Sequence, residues 1–176
     1  TGDIFSLPTR GSDWYNGGQF QRLHHHTWNP DDATMWNAWR GVGMGLSFTM
    51  EVAEDLGTLD YEKLGFEPKV KEDHLNQLKA LQAYFYWRGL DYFGGIPIYY
   101  NNGEENKARN TDKEVFEHIE KLLLEAIPGI LPKTAVGQKE DGFIRQAAAA
   151  ALLARLYFNA ESYIGIPMYE QAAQIS

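Results

Sequence analysis

No cysteine occurs in the 176 residues. Disulfides and thiolate chemistry are thereby excluded, and the redox compartment cannot be read from cysteine usage. Basic residues are the minority charge: 16 Lys and Arg against 24 Asp and Glu give a net charge of −8, with a pI near 5.1. The cations are scattered and form no basic stripe. Nucleic-acid binding, which needs clustered cations to neutralise phosphate, is therefore disfavoured, and an anionic membrane surface would repel the chain. Long apolar runs are also missing. The longest, residues 147–158, is interrupted by Arg155 and is too short to span a bilayer. The abrupt opening TGDIF carries no signal peptide and reads as a processed or truncated form. No glycine-rich phosphate loop, nucleophile elbow or HExxH motif is present, and no strand alternation is convincing.

What the chain does have is apolar and aromatic content. Apolar residues make up 44% and aromatics 14%, with 10 Tyr, 9 Phe and 5 Trp. A packed core is feasible, and disorder is not expected. Residues 1–33 read as extended loop, punctuated by Gly, Pro, Asn and Asp. Residues 34–176 read as helical repeats. Asp31 and Asp32 offer an N-cap to a first helix over 33–56, in which Trp36, Trp39, Val42 and Leu46 follow helical spacing. Gly41, Gly43 and Gly45 weaken that helix and predict close approach of another helix backbone. Asp73 is expected to cap a second helix ending at Gly94-Gly95, and "IPIYY" could be a short extended piece. Thr111 and Glu114 form a capping box for a third helix, whose apolar stripe is Phe116, Ile119, Leu122, Leu123, Ala126 and Ile127. A fourth helix is predicted over 143–163, and a fifth begins near Met168.

An internal repeat supports this order. Residues 80–94 aligned on 151–165 match at Ala80/Ala151, Leu81/Leu152, Ala83/Ala154, Tyr86/Tyr157, Tyr92/Tyr163 and Gly94/Gly165. Repeated helix pairs are the signature of an α-solenoid, and the first helix approximates tetratricopeptide spacing. The expected fold is all-α: a tetratricopeptide-like helix-pair solenoid with long loops. Phe85, Tyr86, Trp87 and Tyr157 are expected in its core.

The His24-His25-His26 run is a weak metal candidate. Three adjacent side chains cannot converge, and no carboxylate stands at ligand spacing, so a solvated loop is expected. Carboxylates are plentiful, but nothing singles out a catalytic pair, and Glu51, Glu54 and Asp55 read as an exposed helix face. No catalytic residue and no cofactor is expected. Asp13-Trp14-Tyr15-Asn16 is more informative. An aromatic plane stacks on the apolar face of a pyranose ring while Asp or Asn bonds its hydroxyls. Alternatively, Trp14 tucks into the helical core and pins the loop; the chemistry alone leaves both readings open.

The pieces PTRGSDWYNGG, HTWNP with WNAWRGV, LKALQAYFYWRGLDYFGGIPI, ARNTDKEVFEHIEKLLLEAIPGILP and GFIRQAAAAALLARLYFNAE occur in an order that resembles the SusD/RagB family of outer-membrane nutrient-binding lipoproteins. They cover nearly all of the chain. The resemblance implies a SusD-like α-α superhelix and a non-catalytic protein. It would bind oligo- or polysaccharide at the cell surface and deliver it to a SusC-like TonB-dependent transporter in the outer membrane. Some branches take peptides, so a peptide- or protein-binding tetratricopeptide-type module is the alternative. Trp14 is the implied stacking residue, with Asp13, Tyr15 and Asn16 beside it. The lipidated cysteine of the family is absent, the chain ends inside a repeat helix, and Leu122 stands where the family often has an acidic residue. The Leu122 change is a minor one on a helix; the other two departures imply an internal fragment of one larger domain.

Overall fold

A computed structural model describes residues 7–11, 13–132 and 142–175. It is all-α. The helices are α1 (Gln19–His24), α2 (Ala33–Thr58), α3 (Pro68–Phe93), α4 (Asp112–Ala126), α5 (Gln146–Phe158), α6 (Ala160–Ile164) and α7 (Tyr169–Ile175), with 3-10 turns at Asn16–Gly18 and Ile127–Gly129. Among the described residues the only β-type pairing is an isolated bridge between Arg10 and Asp13, so "IPIYY" forms no strand. No helix among them is long and apolar enough to cross a membrane. The chain divides into two compact units, Thr1–Gly41 and Val42–Ser176.

The second unit carries the core. α3 packs on α4, α4 on α5 and α6, and α5 on α7. Thr111 caps α4 as its sequence predicts: its hydroxyl accepts the Glu114 amide while the Glu114 carboxylate accepts the Thr111 amide. The α4 stripe then buries Val115, Phe116, Ile119, Leu123 and Ala126, with Leu122 and Ile127 partly buried. Tyr86, Trp87 and Tyr157 are buried, and Phe85 is partly buried against the core. Trp87 Nε1 donates to the Tyr163 hydroxyl at 3.1 Å, which donates to Asp91 at 2.8 Å, while the Arg155 guanidinium lies 4.9 Å from the Trp87 ring centre. Burial first, and the neighbouring Asp91 carboxylate second, push the Tyr163 hydroxyl up to about 12, so it stays a donor at neutral pH.

Four sequence expectations are corrected. Residues 19–24 are helical rather than loop, because QFQRLH contains good helix formers and no glycine or proline. Helix α3 starts at Pro68, not after Asp73; proline suits the first helical turn because its missing N–H has no partner there. Asp73 is a buried polar residue instead. The fourth predicted helix is broken at Asn159, whose φ and ψ of −99° and 8° separate α5 from α6. Finally, of Gly41, Gly43 and Gly45 in α2 only Gly45 meets a neighbour. A Cβ there would enter the Phe85 ring, whereas Gly41 and Gly43 face open space. The close approach is by an aromatic side chain, not by a helix backbone.

The internal repeat is kept only in part. Tyr86 and Tyr157 are both buried. Gly94 and Gly165 follow their helices with positive φ of 71° and 72°, but ψ is −141° at Gly94 and 12° at Gly165, so only the second is left-handed helical. Ala80 is buried, yet its counterpart Ala151 is exposed, because α5 turns Ala149, Leu153, Leu156 and Tyr157 inward instead. Along α2, Val42, Leu46 and Met50 are buried, whereas Trp36 and Trp39 are exposed.

Candidate functional site

The first unit holds the aromatic loop. Arg10 and Asp13 exchange backbone bonds, Arg10 N–H to Asp13 O at 3.1 Å and Asp13 N–H to Arg10 O at 2.9 Å. The chain then enters an unusual conformation. Trp14 has φ of 64° and Asn16 has φ of 42°. Asparagine tolerates the left-handed region, but a tryptophan there is a true outlier, costing roughly 1–2 kcal/mol. The Gly18 amide donates to the Tyr15 carbonyl at 2.7 Å and closes the turn.

The four predicted residues therefore share one short turn. Trp14 and Tyr15 are each 52% exposed, and Asp13 and Asn16 are exposed beside them. Trp14 is tilted against Phe20 at 6.5 Å between ring centres, which supports the indole and leaves half of it in solvent. The arrangement offers two aromatic planes with a carboxylate and a carboxamide nearby. Such a surface can stack on a ring and hydrogen-bond its substituents.

What holds the turn was not visible in the sequence. Arg22, on α1, donates Nη1 to the Gly17 carbonyl at 2.7 Å. Its Nε donates to both Asp32 carboxylate oxygens at 3.0 Å, and its Nη2 also pairs with Asp32. Asp32 is buried. Its carboxylate accepts the Asn29 amide at 3.0 Å as well, while its carbonyl accepts the Met35 and Trp36 amides that open α2. The predicted capping position is thus correct, but the carboxylate is engaged by Arg22 and Asn29. The Arg22 bond and the Asn29 amide hold the Asp32 carboxyl below its ordinary value, and the same pairing raises Arg22. Arg22 lies on α1 and Asp32 ends the irregular stretch that follows it, so no single periodic pattern relates them and only the charge types could have suggested this pair.

His24, His25 and His26 are exposed. The His24 and His25 rings meet edge-on at 5.1 Å, and His26 lies 5.4 Å from Trp28. Among the described residues no group of three or more His, Cys, Asp or Glu could hold a metal ion. Glu51, Glu54 and Asp55 are exposed on α2.

Comparison with known proteins places the fold. No protein-family profile matches the sequence, and no curated protein matches it. Solved structures do match. A SusD-like protein from Bacteroides fragilis superposes with a TM-score of 0.73 at 21% identity, over 93% of this chain and 30% of its own. A laminarin-binding SusD-like protein gives 0.74 at 21% identity, over 90% and 32%. Surface glycan-binding protein A from Bacteroides uniformis gives 0.74 at 20% identity, over 94% and 35%. The chain has the SusD-like helical fold and spans about a third of the length of these neighbours.

Proposed function

We propose that this SusD-like chain is a non-catalytic glycan-binding protein of the SusD/RagB family, and that the turn at 13–16 contacts the sugar. The observation that carries the reading is the exposed Trp14 held at φ 64°. A bulky residue persists in that conformation only where its surroundings impose it, and such sites concentrate at ligand contacts. Trp14 and Tyr15 stack on sugar rings; Asp13 and Asn16 bond hydroxyls. Segment 1–33 supplies the ligand-facing turn, and 34–176 supplies the helical scaffold. The laminarin-binding and surface glycan-binding neighbours support the ligand class. Delivery to a SusC-like TonB-dependent transporter, at the extracellular face of the outer membrane, belongs to the same proposal. What supports it is the SusD-like fold together with the family resemblance of the sequence. Binding of this kind uses stacking and hydroxyl bonds and calls for no cofactor.

The test is native affinity electrophoresis of the protein and its Trp14→Ala variant through gels containing neutral polysaccharides. Retardation of the parent by one glycan is expected, little changed by salt, with the variant losing it while keeping its helical circular dichroism. A second reading, peptide binding, is favoured by a groove of about 420 Å3 lined by Ala154, Arg155, Phe158, Tyr169, Ala172 and Ala173. Salt-sensitive retention of a peptide with no response to any sugar would replace the first reading with this one.

A further inference from the structure

Two stretches of this chain share one chemical pattern. Trp14-Tyr15-Asn16-Gly17-Gly18 and Tyr99-Tyr100-Asn101-Asn102-Gly103 both read aromatic, tyrosine, asparagine, a fourth residue, glycine. The closing glycines both have positive φ, 80° at Gly18 and 83° at Gly103, which glycine takes up without steric cost. The tyrosine is exposed in both, and at 67% Tyr100 exceeds even Tyr15.

The second stretch lies in the connection between α3 and α4, and it is fastened at many points. Glu104 accepts the Tyr100 and Asn101 amides at 2.6 and 2.8 Å and pairs with Lys107. Lys107 Nζ donates to the Ile98 carbonyl at 3.2 Å and lies 5.4 Å from the Tyr99 ring centre and 5.3 Å from that of Tyr100. Asn102 is anchored to α2: its Nδ2 donates to the Ser47 carbonyl at 3.0 Å and its Oδ1 accepts the Ser47 hydroxyl at 3.1 Å. Behind the tip, the Tyr86 hydroxyl accepts the Tyr99 amide at 2.9 Å and donates to the Tyr99 carbonyl at 3.0 Å.

A connecting loop needs none of this order, and holding an exposed ring still costs conformational entropy. Spent before a ligand arrives, that entropy is no longer lost on binding. The ring and carboxamide are uncharged, and the Glu104–Lys107 pair beneath them is internally neutralised. The chemistry suits an uncharged, hydroxyl-rich ring rather than an anion.

We infer that Tyr100 and Asn101 form a second contact site for a neutral sugar ring, with Asn102, Glu104 and Lys107 as positioning residues. The inference rests on the glycan-binding reading of the Trp14 turn and adds a platform to it. The experiment compares the parent with Tyr100→Ala, Tyr100→Phe, Asn101→Ala and Trp14→Ala in gels containing laminarin, pullulan, xyloglucan, arabinoxylan or galactomannan. Circular dichroism and urea midpoints check the fold of each. The expected result is a roughly 5- to 10-fold weaker retention for Tyr100→Ala, a smaller loss for Asn101→Ala, and near-parental retention for Tyr100→Phe, which keeps the ring. Parental retention by Tyr100→Ala, with retention lost in Trp14→Ala, overturns this inference and leaves the Trp14 reading standing. A parent that no glycan retards overturns both.

Discussion

The Asp73 carboxylate accepts the backbone N–H of Leu131 at 2.7 Å, although 58 residues separate them. It also accepts Gln77 Nε2 at 2.7 Å and lies 3.7 Å from Arg145 Nη1, while Gln77 Oε1 accepts the Ile144 amide at 3.1 Å. One buried acid on α3 thus ties down the chain leaving the α4 end and the chain entering α5. Asp73→Ala removes the acceptor of the part-buried Leu131 amide and abolishes the ion pair with Arg145, and is expected to destabilise the protein by about 3 kcal/mol. Asp73→Asn keeps an acceptor oxygen and should lose less. Urea unfolding of the three proteins measures both differences.

Gly45 and Gly43 should respond to alanine with opposite signs. Gly45→Ala drives a methyl into the Phe85 ring and should cost about 1–3 kcal/mol. Gly43→Ala adds a methyl into open space on the same helix and should gain about 0.5–1 kcal/mol. Thermal unfolding of the pair decides it.

His118 sits edge-on to Tyr86 at 4.7 Å and to Tyr100 at 5.7 Å. Burial, with a smaller contribution from Lys121 and opposed by Glu125, lowers its pKa from 6.5 to about 4. The unfolded chain therefore binds this proton first as pH falls. Stability should decline between about pH 6.5 and 4 and then level off for this group, by on the order of 2 kcal/mol after allowing for its partial exposure. His118→Gln should flatten that part of the curve. Urea midpoints at half-unit pH steps provide the measurement.

Arg22 links the Gly17 carbonyl to Asp32. Arg22→Ala should leave helical circular dichroism nearly unchanged, disturb the near-ultraviolet signal of the tryptophans, and weaken glycan retention about fivefold or more. Arg22→Lys should not restore it, because an ammonium cannot reproduce the planar fork. Since Asp32 is held below its ordinary value, the pairing is fully present above about pH 4 and is lost only as pH falls through that lowered value.

The legible parts of the fold were those encoded locally. The Thr111–Glu114 box and the α4 stripe lie within a few turns of one another, so their periodicity reports their environment directly. The α2 span was readable despite its glycines, because apolar spacing outweighed propensity. Asp73 was misread for the opposite reason. A lone acid before an apolar run looks like a cap, and only its bond to Leu131 reveals a buried role.

By itself the sequence determined the helical class, the order of the four longest helices, the capped start of α4 and the cluster of aromatics at 13–16. These follow from short-range periodicity, proline and glycine placement, and side-chain type. The tertiary structure alone decided which face of each repeat helix is buried, that Phe85 is what Gly45 accommodates, and that Arg22 and Asp32 meet. It also decided that Trp14 stands half in solvent. Those outcomes depend on contacts between residues with no periodic relation along the chain, and such contacts exist only once the helices have packed.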